Sequence, residues 1–187
     1  MKKIIFYMFL SLCLGFIEVK AQFHGSRTYD YICIQQHPSW CTFACLEMYT
    51  KGEYLQAGMK SDYVFRKYNL AVNCAEVTEG MIGYEECMSK ISVLEFISYA
   101  RFLLNKHFAT YVELPGLFPP DAPGEFYKFP YFAINVEDEH MVLVIGVNVD
   151  KADVGYNHYV TYIDPGSASI QSVYNQNYPL IVLLENI

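Results

Sequence analysis

Gln35 and Cys41 stand six residues apart in Gln35-Gln36-His37-Pro38-Ser39-Trp40-Cys41, and Cys41 opens an apolar run that continues to Met48. These residue types suit thiol attack on a carbonyl. The thiol must ionise, and the oxyanion it creates must find hydrogen-bond donors. The first turn of a helix carries partial positive charge and unpaired N–H groups, so a cysteine placed there has a lowered pKa. An upstream glutamine amide can supply a further donor. Such a nucleophile needs a base, and the base needs a group that holds it in the right tautomer.

Five histidines follow the first 21 residues: His24, His37, His107, His140 and His158. His24 has little to position it, His37 reads as a solvated loop residue, and His107 ends a helix, where a cationic ring is merely favourable. His140 differs because it directly precedes the apolar stretch Met141–Val147, while Asp164 directly follows His158–Ile163. An antiparallel hairpin with its tip near Ala152 sets position 140 opposite position 164. Each residue has a plainer reading alone. Asp164-Pro165-Gly166 is an ordinary turn sequence, His140 after Glu137-Asp138-Glu139 is an ordinary surface histidine, and a helical cysteine is often a small core hydrophobe. The joint arrangement of Cys41, His140 and Asp164 is what points to chemistry.

The elements that must position these groups divide the chain in two. Ser39 is expected to cap a helix starting at Trp40 or Cys41, apolar nearly all round and therefore buried, ending near Lys51-Gly52. A shorter amphipathic helix is expected over 61–70, an irregular connection from Cys74 to Cys87, and a helix after the Ser92/Glu95 capping box. Strands are expected at Phe108–Leu114, Tyr131–Val136, Met141–Val147, His158–Ile163, Ile170–Tyr174 and Leu180–Leu184. Met141–Val147 and Leu180–Leu184, apolar on both faces, belong in the middle of a sheet. The Pro119–Gly124 loop reads as a surface loop. This is one α+β domain, with an N-terminal helical half around a buried helix and a C-terminal antiparallel sheet.

Composition bounds the function. The chain of 187 residues is 53% hydrophobic and 17% aromatic, as expected of a packed domain. Met1-Lys2-Lys3, the apolar run Ile4–Ile17 and Val19-Lys20-Ala21 read as a signal peptide cut after Ala21, followed by a lead-in over 22–30 and the domain over 31–187. The expected location is therefore periplasmic or extracellular, without stable membrane association after cleavage. Removing residues 1–21 takes the basic count from 13 to 10 and the acidic count from 20 to 19, a net charge of −9. That balance, with no basic patch, argues against nucleic acid as a partner. Cys33, Cys41, Cys45, Cys74 and Cys87 are an odd set, so at least one thiol stays unpaired, and the other four allow three disulfide connectivities. No cysteine spacing matches a zinc site, and no metal or organic cofactor is implied.

The block Gln35-x5-Cys41 with Trp40, Ala44, Cys45 and Met48 resembles bacterial papain-like cysteine peptidases of the avirulence-type and bacteriocin-leader-processing-like groups. His140-x-Val-x-Val-x-Gly146-Val147 is similar to that family's histidine strand, and Tyr162-Ile163-Asp164-Pro165 to its aspartate turn. The three ordered blocks span roughly residues 31–170. The resemblance implies a papain-like fold and hydrolysis of peptide or protein substrates. In it Cys41 is the nucleophile, His140 the base, Asp164 the orienting group and Gln35 the oxyanion donor. Trp40 and Phe43 are then expected as cleft walls flanking Cys41. The chain departs from the family at Thr42 and Phe43, at Glu139 before the histidine, and in the long gap from His140 to Asp164. Acyl transfer on the same triad, and a catalytically silent binding module on the same fold, are the alternative readings.

Overall fold

A computed structural model describes residues 22–26, 29–106, 108–113, 129–135, 139–151, 156–174 and 180–185. The signal segment, His107, the proline-rich loop and the hairpin tip near Ala152 lie outside the described residues. The chain is α+β. Four helices come first after one short strand: α1 (Cys41–Tyr49), α2 (Gln56–Tyr68), α3 (Tyr84–Met88) and α4 (Val93–Leu104). The strands are β1 (Gln22–Ser26), β2 (Phe108–Glu113), β3 (Tyr131–Asn135), β4 (His140–Lys151), β5 (Tyr156–Asp164), β6 (Ser169–Tyr174) and β7 (Leu180–Glu185). They form one antiparallel sheet in the order β2-β7-β3-β4-β5-β6, with β1 also paired to β4. The two strands apolar on both faces, β4 and β7, are interior as their composition requires.

The lead-in is not irregular at its start. Gln22–Ser26 pairs with β4 between Gly146 and Val149. β3 covers only His140–Val144 of that edge and β5 holds the opposite one, so β1 prolongs the edge where β3 stops. α2 likewise begins earlier than its amphipathic pattern suggests. Gln56 opens it because the buried Glu47 carboxylate accepts the Gln56 N–H at 3.1 Å, a favourable charge at a helix N-terminus. Tyr31 Oη donates to the same carboxylate at 2.7 Å.

α1 sits where the two halves meet, packed on both β4 and α2. All of Cys41–Met48 is buried, as an all-round apolar helix predicts. Its end is fixed by Gly52, whose N–H donates to Glu47 O at 2.9 Å with φ at +80°. A Cβ on Gly52 would stand 2.8 Å from the Tyr31 ring, so conformation and space both require glycine. The expected Ser39 cap is absent. Ser39 Oγ is instead engaged with His37 Nδ1 at 2.8 Å, and no side chain caps α1. At α4 the Ser92/Glu95 capping box is formed on both sides.

One apolar cluster lies between the helices and one sheet face, with Phe43, Leu46, Met48 and Phe96 meeting Met141, Leu143 and Ile163. Val142, Val144, Val160 and Tyr162 belong to a second cluster. A single disulfide, Cys74–Cys87, closes the connection before α4. Cys33, Cys41 and Cys45 remain thiols, so a second bridge among the described cysteines is absent. The disulfide is compatible with export. Among the described residues no helix is long and apolar enough to cross a membrane.

Candidate active site

β4 and β5 do form the hairpin that the His140/Asp164 spacing suggests, but in a different register. Leu143, not Met141, faces Ile163, and a bulge between Val144 and Gly146 changes the pairing again toward the tip. The displacement along β4 is two residues at the site end. Two is an even number, so His140 and Asp164 stay on one face, where a shift of one would have parted them. They become diagonal neighbours, and His140 Nε2 meets Asp164 Oδ1 at 2.8 Å.

The displacement has a second effect. Pairing with β5 stops at Leu143, so β4 overhangs it by the first residues of the strand. The Met141 backbone lies in that overhang, against α1. Its carbonyl accepts from Cys45 Sγ at 3.5 Å, and the same backbone favours the ionised form of the Cys41 thiol. Cys41 is the first residue of α1, and its thiol and the His140 side chain act on each other's ionisation. Asp164 occupies Nε2, which leaves Nδ1 as the ring nitrogen for sulfur. The three groups therefore lie in the order Cys41, His140, Asp164, with Nδ1 the ring nitrogen left for sulfur.

The electrostatics follow from these contacts. Burial opposes ionisation of the Cys41 thiol, but His140, the Met141 backbone and the Thr42 hydroxyl together outweigh it and bring the pKa below that of an ordinary thiol. His140 is raised to about 9, first by the Cys41 contact, against burial, and then by Asp164. Asp164 is held below the usual carboxylate value: burial resists, while His140 and the Gly166 N–H, at 2.7 Å, prevail. Opposite shifts on sulfur and imidazole favour a thiolate–imidazolium pair.

Gln35 joins the same locus through its backbone, since its N–H donates to Pro165 O at 2.8 Å in the turn after Asp164. Its side chain does not present a free amide. Nε2 donates to Pro38 O at 3.2 Å within the motif loop, and the buried Oε1 has no partner. Trp40 and Phe43 are not cleft walls. Phe43 is 0% exposed and packs edge-on against Tyr63 and Tyr99. Trp40 is 3% exposed and donates Nε1–H to Cys87 O at 2.7 Å. Both turn into the core because helix α1 is enclosed on every side.

His37 is bound to Ser39 through Nδ1, which accepts the Ser39 N–H at 3.2 Å, and burial lowers its pKa. It serves its own loop. A cavity of about 380 Å³ is lined by Thr42, Glu139 and Met141, which are chain neighbours of Cys41 and His140, together with Ile134, Phe96 and residues 90–93, Lys90 and Ser92 among them; Cys41 and His140 themselves do not line it. Sequence reasoning did not find the Met141 peptide, because the strand overhang that frees it depends on register. A scan against protein-family models found no match, and comparisons with curated proteins and with solved structures found none either.

Proposed function

We propose that this chain is an exported cysteine peptidase of papain-like type, acting through Cys41, His140 and Asp164. The observation that carries the reading is the order Cys41, His140, Asp164 from the first residue of α1 to the β4–β5 end, with the thiol shifted down and the imidazole up. Cys41 thiolate attacks a peptide carbonyl, and the carbonyl electron pair moves onto oxygen. His140 then gives the Nδ1 proton to the leaving amine as the C–N bond breaks, forming a thioester. Water attacks that thioester as His140 takes its proton, the C–S bond breaks, and the carboxylic acid leaves with the Cys41 thiolate and His140 imidazolium restored. Asp164 holds the Nε2–H throughout and stabilises the imidazolium.

The oxyanion takes donors at the start of α1, where no side chain caps the backbone N–H groups. Gln35 contributes once its amide turns from Pro38 O, a rotation that breaks nothing at the unpartnered Oε1.

The test uses the purified protein, fluorogenic peptides and the Cys41→Ala variant. Hydrolysis by the wild type and none by the variant is expected, and equal rates would overturn the mechanism. Product masses with and without an added amine separate hydrolysis from acyl transfer. Iodoacetamide alkylation of Cys41 well below the ~8.5 pKa of a free thiol is expected; its absence would indicate a silent module.

A further inference from the structure

Asp164 has a second set of partners that the reaction above does not use. Its Oδ1 accepts from His140 Nε2 at 2.8 Å and from Gly166 N–H at 2.7 Å. Its Oδ2 accepts from Gln171 Nε2 at 3.2 Å. Gln171 is also held from behind, because Tyr162 Oη donates to Gln171 Oε1 at 2.9 Å. These contacts follow from the pairing of β5 with β6. Tyr162 faces Gln171 and Asp164 faces Ser169, so all four side chains share one sheet face and Gln171 reaches Asp164 along the diagonal.

The amide has one self-consistent orientation. A carboxylate oxygen accepts only, so Nε2 must face Asp164; Oε1 then faces a tyrosine hydroxyl, which can donate. Ser167 and Ser169 hydroxyls, each 3.4 Å from Nε2, are the partners for its second hydrogen. Tyr162 is 2% exposed and fixed in the second apolar cluster. The carboxylate that faces His140 is thus fastened through Gln171 to a rigid core tyrosine.

We propose that Gln171, oriented by Tyr162, is the positioning residue that fixes the Asp164 carboxylate against His140. The proposal rests on the peptidase reading, in which Asp164 orients the base. Gln171 touches neither sulfur nor substrate and acts only through Asp164. Without it Oδ2 loses the Gln171 donor, and the carboxylate is left with the Gly166 N–H and the Ser167 hydroxyl to set its angle toward His140, a looser hold on the imidazole that faces Cys41.

The experiment compares Gln171→Leu with Ser172→Ala in the purified protein. Thr161 and Ser172 share a hydrogen bond of 2.9 Å across the same two strands, one residue along and on the opposite face, so the second variant controls for a merely structural role. Gln171→Leu is expected to lower kcat about 10-fold with KM within about twofold, since misorientation acts on the chemical step. It is also expected to move the basic limb of the Cys41 alkylation profile to lower pH, because His140 loses a fixed carboxylate. Ser172→Ala should leave both unchanged. If Gln171→Leu no longer unfolds cooperatively, Tyr162→Phe, which frees the amide but keeps the core ring, carries the same two readouts. A variant with wild-type kcat and profile, or a Ser172→Ala protein changed to the same degree, overturns the proposal. A wild type that neither hydrolyses peptides nor alkylates at low pH fails the peptidase reading instead, which the two readouts distinguish.

Discussion

Cys41 and Cys45 sit one helical turn apart on α1, both buried and both against the start of β4. Their chemistry is opposite. Burial pushes the Cys45 thiol far up, with Cys41, Cys33 and Asp164 adding to it, whereas Cys41 comes out below an ordinary thiol. The backbone of one residue meets both: Met141 favours the Cys41 anion, and its carbonyl accepts from the Cys45 thiol. An N–H favours an anion and a carbonyl favours a thiol that still has its proton. The helix adds to the difference, since its N–H groups are unpaired in the first turn and satisfied by the second. Both sulfurs are buried, Cys45 the more completely, and what sets Cys41 apart is the group it faces over a few ångströms, His140.

The largest effect that tests this contrast is removal of the sulfur itself. Cys41→Ala is expected to lower peptide hydrolysis by more than about 10³-fold, measured with active-site-free background subtracted. Next comes His140→Ala. It removes the base and the imidazolium, which should cost about 10²- to 10⁴-fold in kcat. It should also move the alkylation midpoint of Cys41 upward, because burial then acts without its counterweight. If Cys41 still alkylated at low pH without His140, the helix start and Met141 would suffice, and the contrast with Cys45 would owe nothing to the histidine.

The pH dependence sharpens the same point with less damage. The reactive form needs sulfur deprotonated and imidazole protonated. Activity should rise as pH passes the lowered thiol value and fall as His140 loses its proton near pH 9. Asp164→Asn keeps an acceptor for Nε2–H but removes the charge that helps to raise His140, so the falling limb should shift below pH 9. The loss in kcat should be roughly 10-fold, less than for His140→Ala, because the imidazolium already has the thiolate as a partner. An unchanged limb would mean that the thiolate alone sets the imidazole.

Residue types and local patterns made the outline of this site readable. Gln35, Cys41, His140 and Asp164 were legible because a motif loop, a helix start and two strand ends each leave a local mark. The capping box at Ser92 and the interior places of β4 and β7 were legible for the same reason. Register was not: pairing on the tip side departs from the symmetric hairpin, the bulge between Val144 and Gly146 shifts it by one more residue, and no local pattern announces a bulge made of ordinary apolar residues. β1 was hidden because Gln22–Ser26 is short and polar and becomes a strand only where β4 outruns β3. Trp40 and Phe43 were misplaced for a clearer reason. A helix apolar on every side has no face left to line a cleft, so its burial already ruled out Phe43. The buried polar pair Lys60 and Gln56 depends on remote carbonyls of Ser89 and Ile34, which no spacing reveals.

The smallest effect belongs to the other sulfur. Cys45→Ala removes a fully buried group and its 3.5 Å contact with Met141 O. The expected cost is about 1–2 kcal/mol in urea unfolding, from a lost weak hydrogen bond and a small cavity. Peptide turnover should stay within about twofold of wild type, because the Met141 backbone that serves Cys41 is held by the strand and not by Cys45. Cys45→Ser makes the same carbonyl contact with a stronger donor and should recover part of the stability. Should Cys45→Ala instead move the Cys41 alkylation profile as far as Asp164→Asn does, the Met141 peptide would need both sulfurs to keep its orientation. The two thiols would then be one functional unit, held together through the Met141 backbone.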